Sequence, residues 1–225
     1  VDEYISEKEQ LERLRDWWRS NGWYLLGGAA LGLLALLGYR QYHAYMDGRA
    51  ENASVLYRQL ESAAADDNLA EVERLANSLH QDFGNSPYAD HASLMVARMV
   101  LVSDTQRAAD ELRRVMDNTS DDELANIARL RLARVLAYQE RFSEALELLQ
   151  IPEPGPFAAR IAEIRGDILL AQGDINGARA SFAEALVADG SDLLDRSVVQ
   201  MKLSNLLNTP ASSPIVNPAA VGGEG

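Results

Sequence analysis

The sequence predicts an all-α protein, one N-terminal transmembrane helix followed by a solenoid of helical hairpins, and three observations carry that prediction. Residues 20–39, SNGWYLLGGAALGLLALLGY, hold no charged side chain between Arg19 and Arg40. From 48 to 207 apolar residues recur at spacings of three and four with no alternating run, the pattern of amphipathic helices rather than strands. Within that region small and large side chains return at fixed offsets about every 34 residues, the period of helix-turn-helix repeats.

The apolar run has the right length and the right borders. About 20 helical residues span roughly 30 Å, the thickness of a bilayer's hydrocarbon core, with every backbone polar group satisfied inside the helix. Seven leucines favour insertion by about 0.3 to 0.6 kcal/mol each, while the glycines oppose it. Trp17, Trp18, Trp23 and Tyr24 flank one end and Tyr39, Tyr42 and Tyr45 the other, where amphipathic rings favour the headgroup level. A cleaved signal peptide requires a small-residue cleavage site, and Tyr39-Arg40-Gln41-Tyr42-His43 follows instead. A core helix requires a polar face, and none is present. Gly28 and Gly32 share one side of the span, which lets a second helix approach closely; they are the expected helix-packing positions.

Residues 1–19 are the expected N-terminal segment before the span, amphipathic from Tyr4 to Arg19 with Leu11, Leu14 and Trp18 at helical spacing. Arg13, Arg15 and Arg19 crowd this side, against Arg40 and Arg49 on the other, so the positive-inside rule puts the N-terminus in the cytoplasm. Residues 40–48 read as a juxtamembrane linker. One ordinary domain is expected over 49–207.

Within it helices are expected at 49–65, 69–82, 88–102, 106–118, 122–139, 143–150, 157–172, 175–187 and 192–207. Turn residues separate them, including Gly84-Asn85-Ser86-Pro87 and the rigid Ile151-Pro152-Glu153-Pro154-Gly155-Pro156. Ser120 with Glu123 fits a capping box, and the acidic run Asp121-Asp122-Glu123 suits the positive end of a helix better than a metal. Three hairpins align with tetratricopeptide spacing. The last offers Gly166, Leu169, Ala178, Phe182 and Ala185; the one before it Leu132, Ala133, Leu136, Ala145 and Leu149; the earliest Ala92, Val96, Met99, Ala108, Leu112 and Val115. Small residues let paired helices approach while large ones fill the space against the neighbour. Residues 49–82 read as a degenerate hairpin and 192–207 as a capping helix. The tail 208–225, rich in Pro, Ala, Ser and Gly, cannot build a core and is expected to be disordered.

Composition narrows the function. The chain carries 34 acidic against 21 basic side chains, a net charge of −13, most of it after the apolar run. Nucleic acid is therefore not an expected partner, since phosphate binding needs a basic patch. The absence of cysteine excludes disulfides, thiol catalysis and thiolate metal sites. His43, His80 and His91 stand apart in the sequence, Glu111 and Arg114 read as ordinary helix-surface neighbours, and no phosphate loop, HExxH or GxSxG motif is present. No catalytic residue, metal site or cofactor is expected.

A stack of hairpins instead offers a surface lined by the first helix of each pair, suited to a segment of another protein. By register that face includes Asp90 and Ala97, then Ile127, Leu130, Arg134 and Tyr138, then Arg160, Glu163, Asp167 and Leu170. Its apolar members suit side chains of an unfolded segment, and Arg134 and Arg160 suit a carboxylate or backbone carbonyls.

Leu14-Arg15-Asp16-Trp17-Trp18-Arg19-Ser20-Asn21-Gly22, the span's ending Gly38-Tyr39-Arg40, Leu130-Arg131-Leu132-Ala133-Arg134-Val135, and Arg165-Gly166-Asp167-Ile168-Leu169-Leu170-Ala171-Gln172-Gly173-Asp174 together resemble the ancillary subunit of the bacterial SecYEG translocon, the YfgM family. The resemblance runs to 207 and leaves out the tail. It implies a single-pass protein of the bacterial inner membrane, N-terminus cytoplasmic and tetratricopeptide-like domain periplasmic. The implied partners are the SecYEG translocon, a PpiD-like periplasmic chaperone and unfolded secretory clients, and the implied role is that of a chaperone or adaptor. The resemblance supplies no catalytic residues. The alternative expectation is a membrane-anchored scaffold that links envelope assemblies without chaperone activity.

Overall fold

A computed structural model describes residues 7–207, and those residues are helical with no strand among them. The expected tail and the first six residues lie outside the described residues. By contacts the chain divides into two units, Val1–Ser54 and Val55–Gly225.

The first unit is carried by α1, Glu7–Ala65, whose final turns belong to the second. Residues 40–48, expected as a linker, are helical, because nothing between Arg40 and Gly48 breaks the α conformation and no proline occurs before Pro87. Within the first unit the apolar side chains stand open. Leu31 is 70% exposed and Trp23 82%, and Leu33, Leu34, Leu36 and Leu37 are likewise exposed. In water each such leucine forgoes about 1.5–3 kcal/mol of burial. This is a helix long and apolar enough to cross a membrane, and its leucines are not those of a core helix.

In the second unit α1 ends where Asp67 takes a left-handed φ of 52° and the N–H of Asn68 closes on the carbonyl of Ala63. There follow α2 (Leu69–Phe83), α3 (Pro87–Val100), α4 (Thr105–Asn118), α5 (Asp122–Tyr138), α6 (Phe142–Leu148), α7 (Ala158–Ala171), α8 (Ile175–Ala185) and α9 (Arg196–Leu207). Polar side chains start most of them. Asn68, Ser86, Asp104, Asp121 and Asp174 each accept a backbone N–H of the helix they precede, a contribution of about 1 kcal/mol apiece. The cap of α5 differs from expectation: Asp121, not Ser120, takes the N–H groups of Glu123 and Leu124.

The turns within hairpins repeat. Glu140 (φ 60°) and Gly173 (φ 85°) hold the same left-handed position one residue before the next helix cap, 33 residues apart in the sequence. Glycine adopts this conformation without penalty, whereas Glu140 is strained there. Between α6 and α7 the proline-rich 151–156 leads into a single 3₁₀ turn, Gly155–Phe157. The backbone N–H of Ala159 then donates to the carbonyl of Asp189, tying the start of α7 to the chain after α8.

Each helix packs mainly on helices one or two places away: α2 on α3, α3 on α4, α4 on α5, α5 on α6 and α7, α7 on α8, α8 on α9. The small and large positions of the repeat meet as the spacing predicts. Ala108, Ala133, Ala145, Ala178 and Ala185 are fully buried. A Cβ on Gly166 would stand 2.6 Å from Phe182, so α7 and α8 are as close there as the missing side chain allows. One apolar cluster runs from α3 to α7 through Leu112, Leu132, Leu136 and Ile164; a second joins α7, α8 and α9 through Ala162, Phe182 and Val199. The fold is a tetratricopeptide-like stack closed by α9.

Candidate partner-binding surface

Two polar clusters interrupt this apolar packing, and they differ in the buried group at their centre, a carboxylate in one and a hydroxyl in the other. The first crosses α5, α7 and α9. Glu163, on α7, is 6% exposed. Helical spacing puts Arg160 one turn before it, and an Nη of Arg160 donates to Oε2 of Glu163 at 2.5 Å. Arg134 reaches the same oxygen from α5 at 3.8 Å. Lys202 arrives from α9, its Nζ 3.3 Å from the other oxygen of Glu163 and 2.7 Å from Asp167. Lys202 also lies over the Phe182 ring, 5.5 Å from its centre. A buried carboxylate is costly unless ions and hydrogen bonds surround it, and three cations from three helices do so here.

The register-predicted residues separate on this scaffold. Arg134, Arg160, Glu163 and Asp167 are brought together. Tyr138 stands at the end of α5, 80% exposed, and Ile127 and Leu170 are half-buried. Leu130 and Ala97 face inward, buried in the cluster between α3 and α7. One residue beyond Leu130, exposed Arg131 falls at spacings of four from Ile127 and three from Arg134, and so belongs to the open side of α5. Asp90 lies apart, in a cleft with Pro87, His91, Asp121 and Leu124 between the α2–α3 and α4–α5 turns. Sequence reasoning missed Lys202 and Arg131. A signal for Lys202 existed: it is the single lysine after the apolar run, on the helix assigned only a capping role.

The second cluster joins α2, α3 and α4. Sequence spacing left His80 isolated and put Glu111 on a helix surface, but the fold brings them to either side of Ser93, which is fully buried. Ser93 Oγ donates to Glu111 Oε2 at 2.8 Å and lies 2.9 Å from His80 Nε2. Its single proton being given to Glu111, Ser93 accepts from His80, so His80 carries its hydrogen on Nε2. Arg114 lies 3.5 Å from the same carboxylate oxygen. Burial, then the charge of Arg114, hold His80 below the usual imidazole range, while Glu111 and Asp90 act in the opposite sense. A nucleophilic serine needs an imidazole nitrogen free to take its proton, and here that nitrogen is a donor. The cluster is a structural polar relay. Among the described residues no group of three or more His, Asp or Glu side chains is placed to hold a metal ion.

On α1 the predicted packing positions Gly28 and Gly32 are open: a Cβ at either would meet nothing within 4 Å. Gly28 shares a shallow cleft with Trp17, Asn21, Tyr24, Leu25 and Ala29.

Comparison with known proteins follows the same extent of chain. A tetratricopeptide repeat-like domain family matches residues 15–208. The chain is 30% identical over 207 residues to a protein of Escherichia coli named ancillary SecYEG translocon subunit, 31% identical over 210 residues to one of that name in Neisseria gonorrhoeae, and 28% identical over 203 residues to one in Haemophilus influenzae. Each comparison covers 90% of this chain and 98% of the relative.

Proposed function

The chain belongs to the family of ancillary SecYEG translocon subunits, and from that premise we propose that it works beside the SecYEG channel, anchored by the apolar part of α1, as a periplasmic chaperone or adaptor. The observation that carries this reading is similarity over 98% of each relative's length, from anchor through stack. In this reading the N-terminus is cytoplasmic, in keeping with the arginines before the span. The mechanism is tethering. A stack confined near the channel exit meets emerging chains at high effective concentration, so weak binding suffices. Ile127, Arg134, Tyr138, Arg160, Glu163, Asp167 and Leu170 form the receiving row, an unfolded secretory segment or a PpiD-like chaperone is its occupant, and Gly28 with Gly32 is where a neighbouring span packs.

Topology is the first test. The chain lacks cysteine, and Val102, in the turn between α3 and α4, is 96% exposed. Val102→Cys is expected to react with a membrane-impermeant maleimide in intact spheroplasts; protection until lysis would reverse the orientation and end the proposal. A photo-crosslinker at Tyr138 is then expected to capture a translocating chain or the PpiD-like chaperone. Capture of one folded envelope assembly alone would favour a scaffold.

A further inference from the structure

The row's charges point to the chemistry of its occupant. We propose that the α5–α7–α9 row selects segments bearing Asp or Glu side chains, with Glu163 acting as an internal stand-in for the partner's carboxylate. This rests on the row being the binding surface proposed above.

Three observations carry it. The first is local charge: Arg134, Arg160 and Lys202 stand against Glu163 and Asp167, and Arg131 lies one helical turn from Arg134 on the open side of α5, a cationic surplus within a chain of net charge −13. The second is unused donor capacity. A guanidinium offers five N–H groups. Arg134 makes one long contact at 3.8 Å with its side chain 49% exposed, and exposed Arg131 makes no ion pair among the described residues. Arg160 is more fully engaged, by Glu163 and by the Leu193 carbonyl at 3.4 Å, and Lys202 by both carboxylates. An incoming carboxylate therefore finds outward-facing donors on α5 first and Arg160 second. The third is position. Exposed Tyr138 and half-buried Ile127 lie on the same side of α5, giving apolar contact beside the charges. Acidic segments are repelled by most of this protein and attracted here, so the row both selects them and fixes where they land.

The test uses the full-length chain in detergent micelles and fluorescence anisotropy with three labelled octapeptides: alternating Glu-Leu with an amidated C-terminus, alternating Gln-Leu with an amidated C-terminus, and the Gln-Leu peptide with a free C-terminal carboxylate. The Glu-Leu peptide is expected to bind about tenfold tighter than its amidated Gln counterpart, an advantage that fades as salt is raised. Arg131→Ala, at an exposed position, and Arg134→Ala are each expected to remove most of that advantage, bringing the Glu-Leu to Gln-Leu affinity ratio measured on the same variant close to one. Glu163→Gln, by releasing the cations, is expected to tighten Glu-Leu binding about threefold or more. Equal affinity for the two amidated peptides, with binding still lost in Tyr138→Ala, overturns the acidic preference and leaves the row as a binding surface. Tight binding of the free-carboxylate Gln-Leu peptide assigns selection to a chain terminus and overturns the side-chain preference. Binding indifferent to every row substitution, or none at all, overturns the row itself.

Discussion

Two polar clusters sit in one helical stack and differ in where their ends lead. The relay of His80, Ser93 and Glu111 is closed around a fully buried hydroxyl, each member committed to a protein partner. In the row around Glu163 the buried group is a carboxylate held by cations that reach water, the Arg134 side chain 49% exposed and that of Arg160 37%; Arg114 beside Glu111 is as open at 48%, but the buried centre of the relay is the Ser93 hydroxyl, which no cation holds. The difference teaches how to separate a structural network from an exchangeable one. Losing a member of the first strands a buried group, whereas the cations of the second can turn to solvent or to another anion.

That contrast is breakable by substitution. Ser93→Val should cost most, about 2–4 kcal/mol in urea denaturation, because it leaves the His80 donor and a Glu111 oxygen without their partner. Gly166→Ala comes next at about 1–3 kcal/mol, since its new methyl presses on Phe182 beneath the row. Glu163→Gln, an isosteric change that keeps a hydrogen-bonding oxygen and leaves partly exposed cations able to rehydrate, should cost about 1–2 kcal/mol; a larger loss than Ser93→Val would invert the distinction.

Proton linkage sharpens it further. His80 is held below its unfolded value, so it is neutral in both states only well above about pH 6.5. As pH falls below that, the unfolded chain takes up the proton first, and stability declines until folded His80 itself protonates. His80→Gln should flatten the slope in that window, measured by urea denaturation across it. The smallest effect is expected from Glu140→Gly, which relieves a left-handed glutamate and should raise stability by up to about 1 kcal/mol.

Local periodicity made the stack legible. The alternation of Gly166 with Phe182, and of Ala133 with Ala145, is written at the contact distance of the hairpin itself, so spacing alone anticipates the packing. The face of α5 was legible only to within one residue: a helix turns 100° per residue, and that is enough to exchange Leu130 for Arg131. The clusters were harder to see because their members come from different helices. Ser93 lies 18 residues from Glu111 and Glu163 lies 39 from Lys202, separations that no single-helix pattern encodes. The α1 helix was read in its apolar part but not in its length, because residues 40–48 carry polar side chains that are equally compatible with helix and linker.

Packing between near neighbours also sets an order of assembly. Little loop-closure entropy stands between these helices and their contacts, which favours rapid folding from local pieces. A chain made from its N-terminus can complete the relay of α2, α3 and α4 before α7 exists. Glu163 meets Arg160 within its own helix and Arg134 on the helix already formed, but its third cation belongs to the last helix of the stack. The row thus acquires its final charge only when α9 closes, and a nascent chain stopped short of that helix presents the same carboxylate with one cation fewer.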